Sequence, residues 1–465
     1  MHWWKARALS LKGRVSNVKT LGLSKFSFLA SVLHIPESVI KKVNTILFQY
    51  IWKGKRDKVK RDIMIQDYKY GGCRMVDFKM IVESAKIEWI KRFLKNDLAD
   101  WKSFILEFCK QENLQLYFQG NFDESEIPLD IPQYYLDAIK TWRSIKYDYI
   151  TKKLDLDQQL IWYNKCIKIN NKSVYNKRLF ACGLWVFGDL FKDGNIIPFN
   201  TWLKRGAYAK DFLTWMGIVK CLPQYIKTMA KDTIHYDKTK FETRILTVNK
   251  TYKCIDDCQQ KDIKDIIRMR KYSLFAEEDF KAKAKYAVKL NIAIPNWENI
   301  FSLPISLKCN NKLKELQFKI LHRIFPVNQF LFKIKQVESP KCFFCEMYDE
   351  TLEHLFSDCM VVKTFWLRIL ALWNVFHGSA YKICVKDILL GFELQDPANN
   401  YPLNLLILYG KMFIVRCRSN KSDINIHLFI RFVMGHYVFY LNKQCTSTLQ
   451  MYEQKIIEFC SNFEV

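Results

Sequence analysis

Apolar residues spaced three and four apart, an aromatic-rich composition and one short run of thiols and an imidazole together predict a mainly α-helical, multi-part protein. The run also predicts a small CCHC knuckle near the C-terminal third. The helical spacing is plain in Val39, Val43, Ile46 and Tyr50, and again in Leu313, Leu316 and Ile320. Of the 465 residues, 49% are apolar and 15% aromatic, enough to bury substantial cores and to exclude a disordered tail. The knuckle is Cys342, Cys345, His354 and Cys359, with the spacing C-x2-C-x8-H-x4-C. The chain is expected to divide into a helical segment at 1–95, a connecting helical region at 96–295 and a C-terminal domain at 296–465. No internal repeat of fixed period is present.

From Leu9 to Phe28, the positions Leu11, Val15, Val18, Leu21 and Phe28 alternate with Lys12, Arg14, Lys19 and Lys25, a basic amphipathic helical pattern. Pro36-Glu37-Ser38 signals a helix start; Val39, Val43, Ile46 and Tyr50 form its stripe, widened by Ile40, Leu47 and Ile51. Lys53, Lys55, Arg56, Lys58, Lys60 and Arg61 then fall within nine residues, opposed only by Asp57, with Gly54 opening the run as a turn. Such a run is either a solvated surface loop or one that contacts phosphates. Gly71-Gly72 predicts a tight turn. The next helix puts Ile81, Ala85, Trp89 and Phe93 on one face, with Lys86, Lys91 and Arg92 off it.

Asn121 to Pro132 is acidic, carries two prolines and reads as a linker. Leu160 to Asn164 opens an aromatic-rich stretch with Tyr175, Phe180, Trp185, Phe187, Phe191, Phe199 and Trp202, and Asp193-Gly194-Asn195 is a turn signal. Interleaved with basic residues, these rings either stack on single strands or fill a core, and the core is the better reading. Asp256-Asp257 has the chemistry to hold magnesium but lacks a strand-turn-strand context, so it is expected to be a surface pair. Further on, Leu313, Leu316, Ile320, Leu321 and Ile324 form a helix face beside Lys312, Lys314, Lys319 and Arg323, ending before Pro326. Lys319 and Arg323 are expected to contact phosphates next to the knuckle. Phe365-Trp366 leads a further helix through Leu370 and Trp373, and turns are expected at Gly391, Pro397 and Pro402.

In the knuckle, two thiols three apart close a turn that presents both sulfurs to one point. A His and a Cys from the next short element complete the tetrahedron that Zn²⁺ prefers in structural sites. Glu350-Thr351 before Leu352 predicts a helix start, with His354 in its first turn and Cys359 at or just past its end. With 15 Cys and 8 His in the chain, chance gives this spacing on the order of 3 × 10⁻⁴ times. The alternative is a set of buried thiols. Four protein ligands leave no open position, so the Zn²⁺ is expected to be structural.

Lys and Arg total 73 against 47 acids, a net charge of +26. That balance points to a polyanionic partner, RNA and/or DNA before a membrane surface, or else to a merely basic protein. Uneven cysteine spacing and the lack of a signal-peptide pattern fit a reducing compartment, nucleus and/or cytoplasm. Leu403 to Val415 is too short to span a membrane and is interrupted by Gly410 and Lys411. No phosphate-binding G-x4-G-K-[ST], no G-x-S-x-G and no two-His metal site is present, so neither a small-molecule substrate nor a catalytic residue is expected. The other histidines (His2, His34, His235, His322, His377, His427, His436) are expected in packing or surface roles.

Taken together, these landmarks resemble the C-terminal part of a non-LTR (LINE-type) retrotransposon reverse transcriptase. The run from Cys342 through Glu350-Thr351-Leu352-Glu353-His354-Leu355-Phe356 to Cys359, with Phe365-Trp366 after it, is similar to that family's reverse-transcriptase zinc-binding domain. Gln317 to Ile324 is similar to its lead-in helix. Leu11 to Val15, Phe48 to Lys55 and Gly71-Gly72 resemble the thumb-like segment that follows the polymerase palm. Trp162-Tyr163-Asn164, Asp189-Leu190 and Asp193-Gly194 resemble the connecting region. Cys73 and Val76 depart from the family's leucine and proline after the paired glycines. No aromatic-x-Asp-Asp motif precedes the thumb-like segment, and the apurinic-type endonuclease is likewise not found. The resemblance thus implies a part that grips template RNA and target DNA and is not itself an enzyme, with the rest of the reverse transcriptase supplied in trans. A zinc-stapled protein-interaction module and a decayed retroelement fragment are the other readings.

Overall fold

The structure, a computed structural model, describes residues 7–95, 99–108, 114–127, 131–145, 159–231, 245–248, 251–272, 281–291, 296–307, 309–378, 380–392, 397–437 and 448–463. Among them helices dominate, with three two-stranded antiparallel hairpins, so the expected mainly α class holds. His2, His235 and residues 128–130 of the expected linker lie outside the described residues. The chain folds into two compact units: Met1–Gly22, Thr45–Met75 and Tyr272–Val465 form one, Leu23–Asn44 and Val76–Lys271 the other. The expected three segments run consecutively along the chain; these units do not.

The first unit is built around the lead-in helix Asn311–Leu321. The Asn310 side chain caps it by accepting from the backbone N–H groups of Lys312 and Leu313. The helix buries Leu313, Leu316, Ile320 and Leu321, as its spacing predicts. It packs on the helices Leu11–Asn17, Trp297–Ser306, Val385–Leu390 and Pro397–Asn420. Two polar ties join it to the early part of the chain. Glu315 Oε2 accepts from the Leu11 N–H at 2.7 Å, and His322 Nε2 bonds the Gly71 carbonyl at 2.8 Å. Gly71 has φ +80°, and a Cβ on Gly72 would lie 2.0 Å from the Gln66 carbonyl oxygen, so only glycine closes this turn.

Pro397 and Pro402 do not make turns. Both belong to one helix, Pro397–Asn420. Pro397 stands at its first position, where no N–H is needed, and Pro402 removes a single bond near the start. Burial compensates for that loss, because every residue from Tyr401 to Lys411 is buried. The run Leu403–Val415 is therefore a core helix, and no helix among the described residues is long and apolar enough to cross a membrane. Gly410 lets the Trp366 ring in; a Cβ there would meet it at 2.4 Å.

The first helical stretch departs from its pattern. Leu11, Val15 and Val18 are buried, but Leu21 is exposed. A π-turn at Val18–Gly22 inserts an extra residue and rotates the later positions off the stripe. In the helix Glu37–Ile51 the buried set is Ile40, Leu47, Phe48, Tyr50 and Ile51, while Val39 and Ile46 face solvent.

In the second unit the helix Phe78–Leu94 packs on Ser27–Val32 and Gln133–Ile145. Ala85, Trp89 and Phe93 are buried as expected, Ile81 is half-buried, and Phe28 is exposed. Lys86 is also fully buried, against expectation. Its ammonium donates to the Leu33 carbonyl at 2.8 Å and lies 3.2 Å from the Tyr134 ring centroid, and burial lowers its pKa to about 8. The aromatic stretch is largely core: Trp162, Phe187 and Trp202 are fully buried, Phe199 is buried, and Tyr175, Phe180, Trp185 and Phe191 are half-buried; the Trp162 indole donates to the Leu184 carbonyl at 2.6 Å. The described part of Asn121–Pro132 is packed and does not behave as a linker. Phe122 and Ile127 are buried, and Glu126 accepts from the Ser173 backbone at 2.7 Å. Asp256-Asp257 follows directly on the hairpin Ile245–Val248/Thr251–Cys254, a strand context the sequence did not reveal.

Candidate metal centre and basic surface

The knuckle is a short closed hairpin followed by a helix. The Cys342 N–H donates to the Tyr348 carbonyl at 2.8 Å, the Glu346 N–H to the Cys342 carbonyl at 2.9 Å, and Lys341 bridges Asp349 across the mouth. Glu346, with φ +55°, makes the left-handed step that turns the chain back. Thr351 Oγ1 accepts from the His354 N–H at 3.0 Å and starts the helix expected there. His354 falls in its first turn, which widens into a π-turn over His354–Asp358; Cys359 stands immediately after it and caps the helix Met360–His377.

The ligand atoms of Cys342, Cys345, His354 and Cys359 all lie within 4.8 Å of one another. Cys342 Sγ is 3.9 Å from Cys359 Sγ, and Cys345 Sγ is 3.3 Å from His354 Nε2. A tetrahedral zinc with bonds of about 2.3 Å to sulfur and about 2.0 Å to nitrogen requires edges of roughly 3.8 and 3.5 Å, so the donor set fits. Of these sulfurs, the fold favours Cys359 as the thiolate and Cys342 as its hydrogen-bond donor. Cys342 and Cys359 share a hydrogen bond that raises the Cys342 pKa and lowers that of Cys359. Backbone N–H groups of Phe344 and Cys345 face the first sulfur, and those of Val361 and Val362 face the second. Cys359 also sits at a helix N-terminus, where the dipole favours a negative sulfur.

Behind the ligands lies a buried ion pair that sequence reading missed. Glu350 is fully buried and accepts from Arg418 Nε at 3.0 Å, Arg418 Nη2 at 2.7 Å and the Asn328 N–H at 2.7 Å. Burial raises its pKa, and Arg418 opposes that shift. The Trp366 indole donates to the Phe356 carbonyl at 2.7 Å, locking the knuckle to the following helix.

The basic run is a loop, as Gly54 suggested: Lys53 has φ +55° and Gly54 φ +78°. Lys53, Lys55, Arg56, Lys58 and Lys60 are exposed, while buried Val59 pins the loop to the unit. Arg61 is half-buried, pairs with Asp57 at 2.7 Å and stacks over Phe48. Lys319 comes close to the loop. Partial burial first, then the charges of Lys319 and Lys55, hold the Lys58 pKa below its ordinary value. Lys319 itself pairs with Glu315 at 2.8 Å.

Arg323 stands otherwise than expected. It occupies a left-handed position after the lead-in helix (φ +53°), pairs with Glu353 at 2.5 Å and lies over the Tyr286 ring. Its charge is neutralised inside the unit and is not presented to a phosphate, because Glu353, the immediate neighbour of the ligand His354, reaches it from the knuckle.

Residues 280–366 match the family described as zinc-binding in reverse transcriptase. The match contains all four knuckle ligands and the lead-in helix. Over 257 residues, 52% of this chain, the sequence is 25% identical to the Transposon TX1 uncharacterized 149 kDa protein of Xenopus laevis. The aligned stretch covers 19% of that protein, so the chain spans about a fifth of the length of this curated relative. The two matches support the resemblance to the C-terminal region of a non-LTR retrotransposon reverse transcriptase.

Proposed function

We propose that this chain is the nucleic-acid-gripping part of a retroelement reverse transcriptase, binding the backbone of RNA or DNA inside the cell, in nucleus or cytoplasm. The observation that carries the reading is the exposed loop cluster of Lys53, Lys55, Arg56, Lys58 and Lys60, with half-buried Lys319, paired with Glu315, close beside it from a helix distant in sequence. Gathering ammonium groups costs free energy in the free protein, and that cost is relieved when a phosphate sits among them. The knuckle's part is to hold the lead-in helix rigid beside the loop, its Zn²⁺ structural. In this reading the chain grips and does not catalyse, so purified protein given primer, template and Mg²⁺ extends nothing.

The test is fluorescence anisotropy on labelled duplexes between roughly 50 and 200 mM salt. Affinity is expected to fall steeply, and replacing Lys55 and Lys58 with Gln should lower the log–log slope by about one for each phosphate no longer neutralised. Weak binding at low salt with a flat salt response would remove the proposal.

A second reading has one observation in its favour. A groove of about 520 Å³ beside the knuckle is lined by Cys345, Met347, Tyr348, Met360, Val361 and Arg368. Met347, Tyr348 and Met360 are 66, 63 and 76% exposed, and flexible methionines suit a protein partner. A partner retained after nuclease digestion, and lost when Tyr348 and Met360 are both replaced by Ala, would support a zinc-stapled interaction module.

A further inference from the structure

The second unit carries a surface that the core reading of its aromatic stretch leaves unexplained. Residues 172–227 contain nine Lys and Arg against three Asp. Two of those acids, Asp189 and Asp211, are buried. Amid this excess Tyr208 is 57% exposed.

Its ring is held in place. The Arg178 guanidinium lies 4.5 Å from the ring centroid. Buried Asp211 fixes that guanidinium, accepting from Arg178 Nε at 3.1 Å, and accepts from the Tyr208 backbone N–H at 2.9 Å and from Asn176 Nδ2 at 2.9 Å. One carboxylate thus places the Arg178 guanidinium and the Tyr208 backbone, and this lowers the ordering entropy a ligand has to supply. Lys204, Arg205 and Lys210 flank the tyrosine within four residues and are exposed.

An exposed, pre-ordered ring amid cations is what an unpaired nucleotide requires: a π face for the base and charges for the phosphates on either side. A duplex hides its base faces and gains nothing from the ring. We infer that the face around Tyr208 binds single-stranded nucleic acid, as a contact separate from the basic loop of the other unit.

The full chain is titrated with fluorescein-labelled (dT)15 and with a duplex of the same length. Tyr208→Ala is expected to weaken (dT)15 binding by about tenfold and leave duplex binding unchanged. Tyr208→Phe, which keeps the stack, should restore it. Asp211→Asn, which frees Arg178, should weaken it in part. An oligonucleotide carrying 5-iodouracil should crosslink to Tyr208. Circular dichroism matching the parent excludes misfolding, and should Tyr208→Ala misfold, the crosslink in unsubstituted protein decides. Equal (dT)15 affinity in Tyr208→Ala together with no crosslink would overturn the inference. Loss of (dT)15 binding in Lys55→Gln/Lys58→Gln alone, with Tyr208→Ala unaffected, would overturn it while leaving the proposed function intact. Poly-glutamate competing as well as (dT)15 would assign the face to acidic protein and overturn it too.

Discussion

Lys411 offers the sharpest physical test of the fold. It is 1% exposed, and its ammonium donates to Gln317 Oε1 and to the Ile388 carbonyl at 2.9 Å, with no carboxylate among its bonds. Burial lowers its pKa from 10.5 to about 7. A base whose pKa is depressed in the folded state binds fewer protons there than in the unfolded chain, so between the two values stability rises with pH. At about 1.4 kcal/mol per unit, and allowing for the half-protonated folded state near neutrality, the gain from pH 7 to 9 is roughly 2 kcal/mol. Lys411→Met removes that gain, and because an uncompensated buried charge is exchanged for an apolar side chain of similar length, the variant should be the more stable at pH 7. Hydrogen exchange of peptides from the helix Pro397–Asn420 in rising urea, at several pH values, reads this unit alone. Parallel pH dependence in parent and variant would refute the account, since it would mean that Lys411 is not buried uncharged.

Three further outcomes are expected. Metal analysis of the purified protein should give one zinc per chain, and Cys342→Ser or His354→Ala should abolish it and unfold the C-terminal third, since such sites supply on the order of 10 kcal/mol; a metal-free protein of unchanged circular dichroism would contradict this. Glu350→Gln leaves the half-buried Arg418 charge without its carboxylate partner, and thermal unfolding should show a loss of roughly 2–3 kcal/mol, while Glu350→Gln with Arg418→Met should lose less. Gly72→Ala places a methyl 2.0 Å from a carbonyl oxygen of fixed backbone, and denaturant titration should show at least roughly 2 kcal/mol of destabilisation.

The knuckle was legible because its information is local. Four ligands within eighteen residues, Cys342 to Cys359, constrain one another through short loops and one helix turn, so spacing alone places them. The loop at Lys53–Arg61 was legible for the same reason: charge density and Gly54 decide it without help from elsewhere. Arg323 was not. Its neighbours in sequence are His322 and apolar residues, and the group that neutralises it, Glu353, lies 30 positions away.

By itself, then, the sequence determined the helical class, the donor set of the metal centre and the net positive charge, all of which follow from residue type and near-neighbour spacing. Only the tertiary structure decided which side of each stripe is buried. A π-turn at Val18–Gly22 moves Leu21 to solvent, and packing in the helix Glu37–Ile51 selects Ile40 and Leu47 over Val39 and Ile46. It also decided which charges are spent internally, as with Glu350 and Arg418 at 68 residues' separation, and which distant pieces share a core. Helical periodicity defines a set of candidate faces, but the choice among them is made by contacts the chain forms only after it has closed on itself.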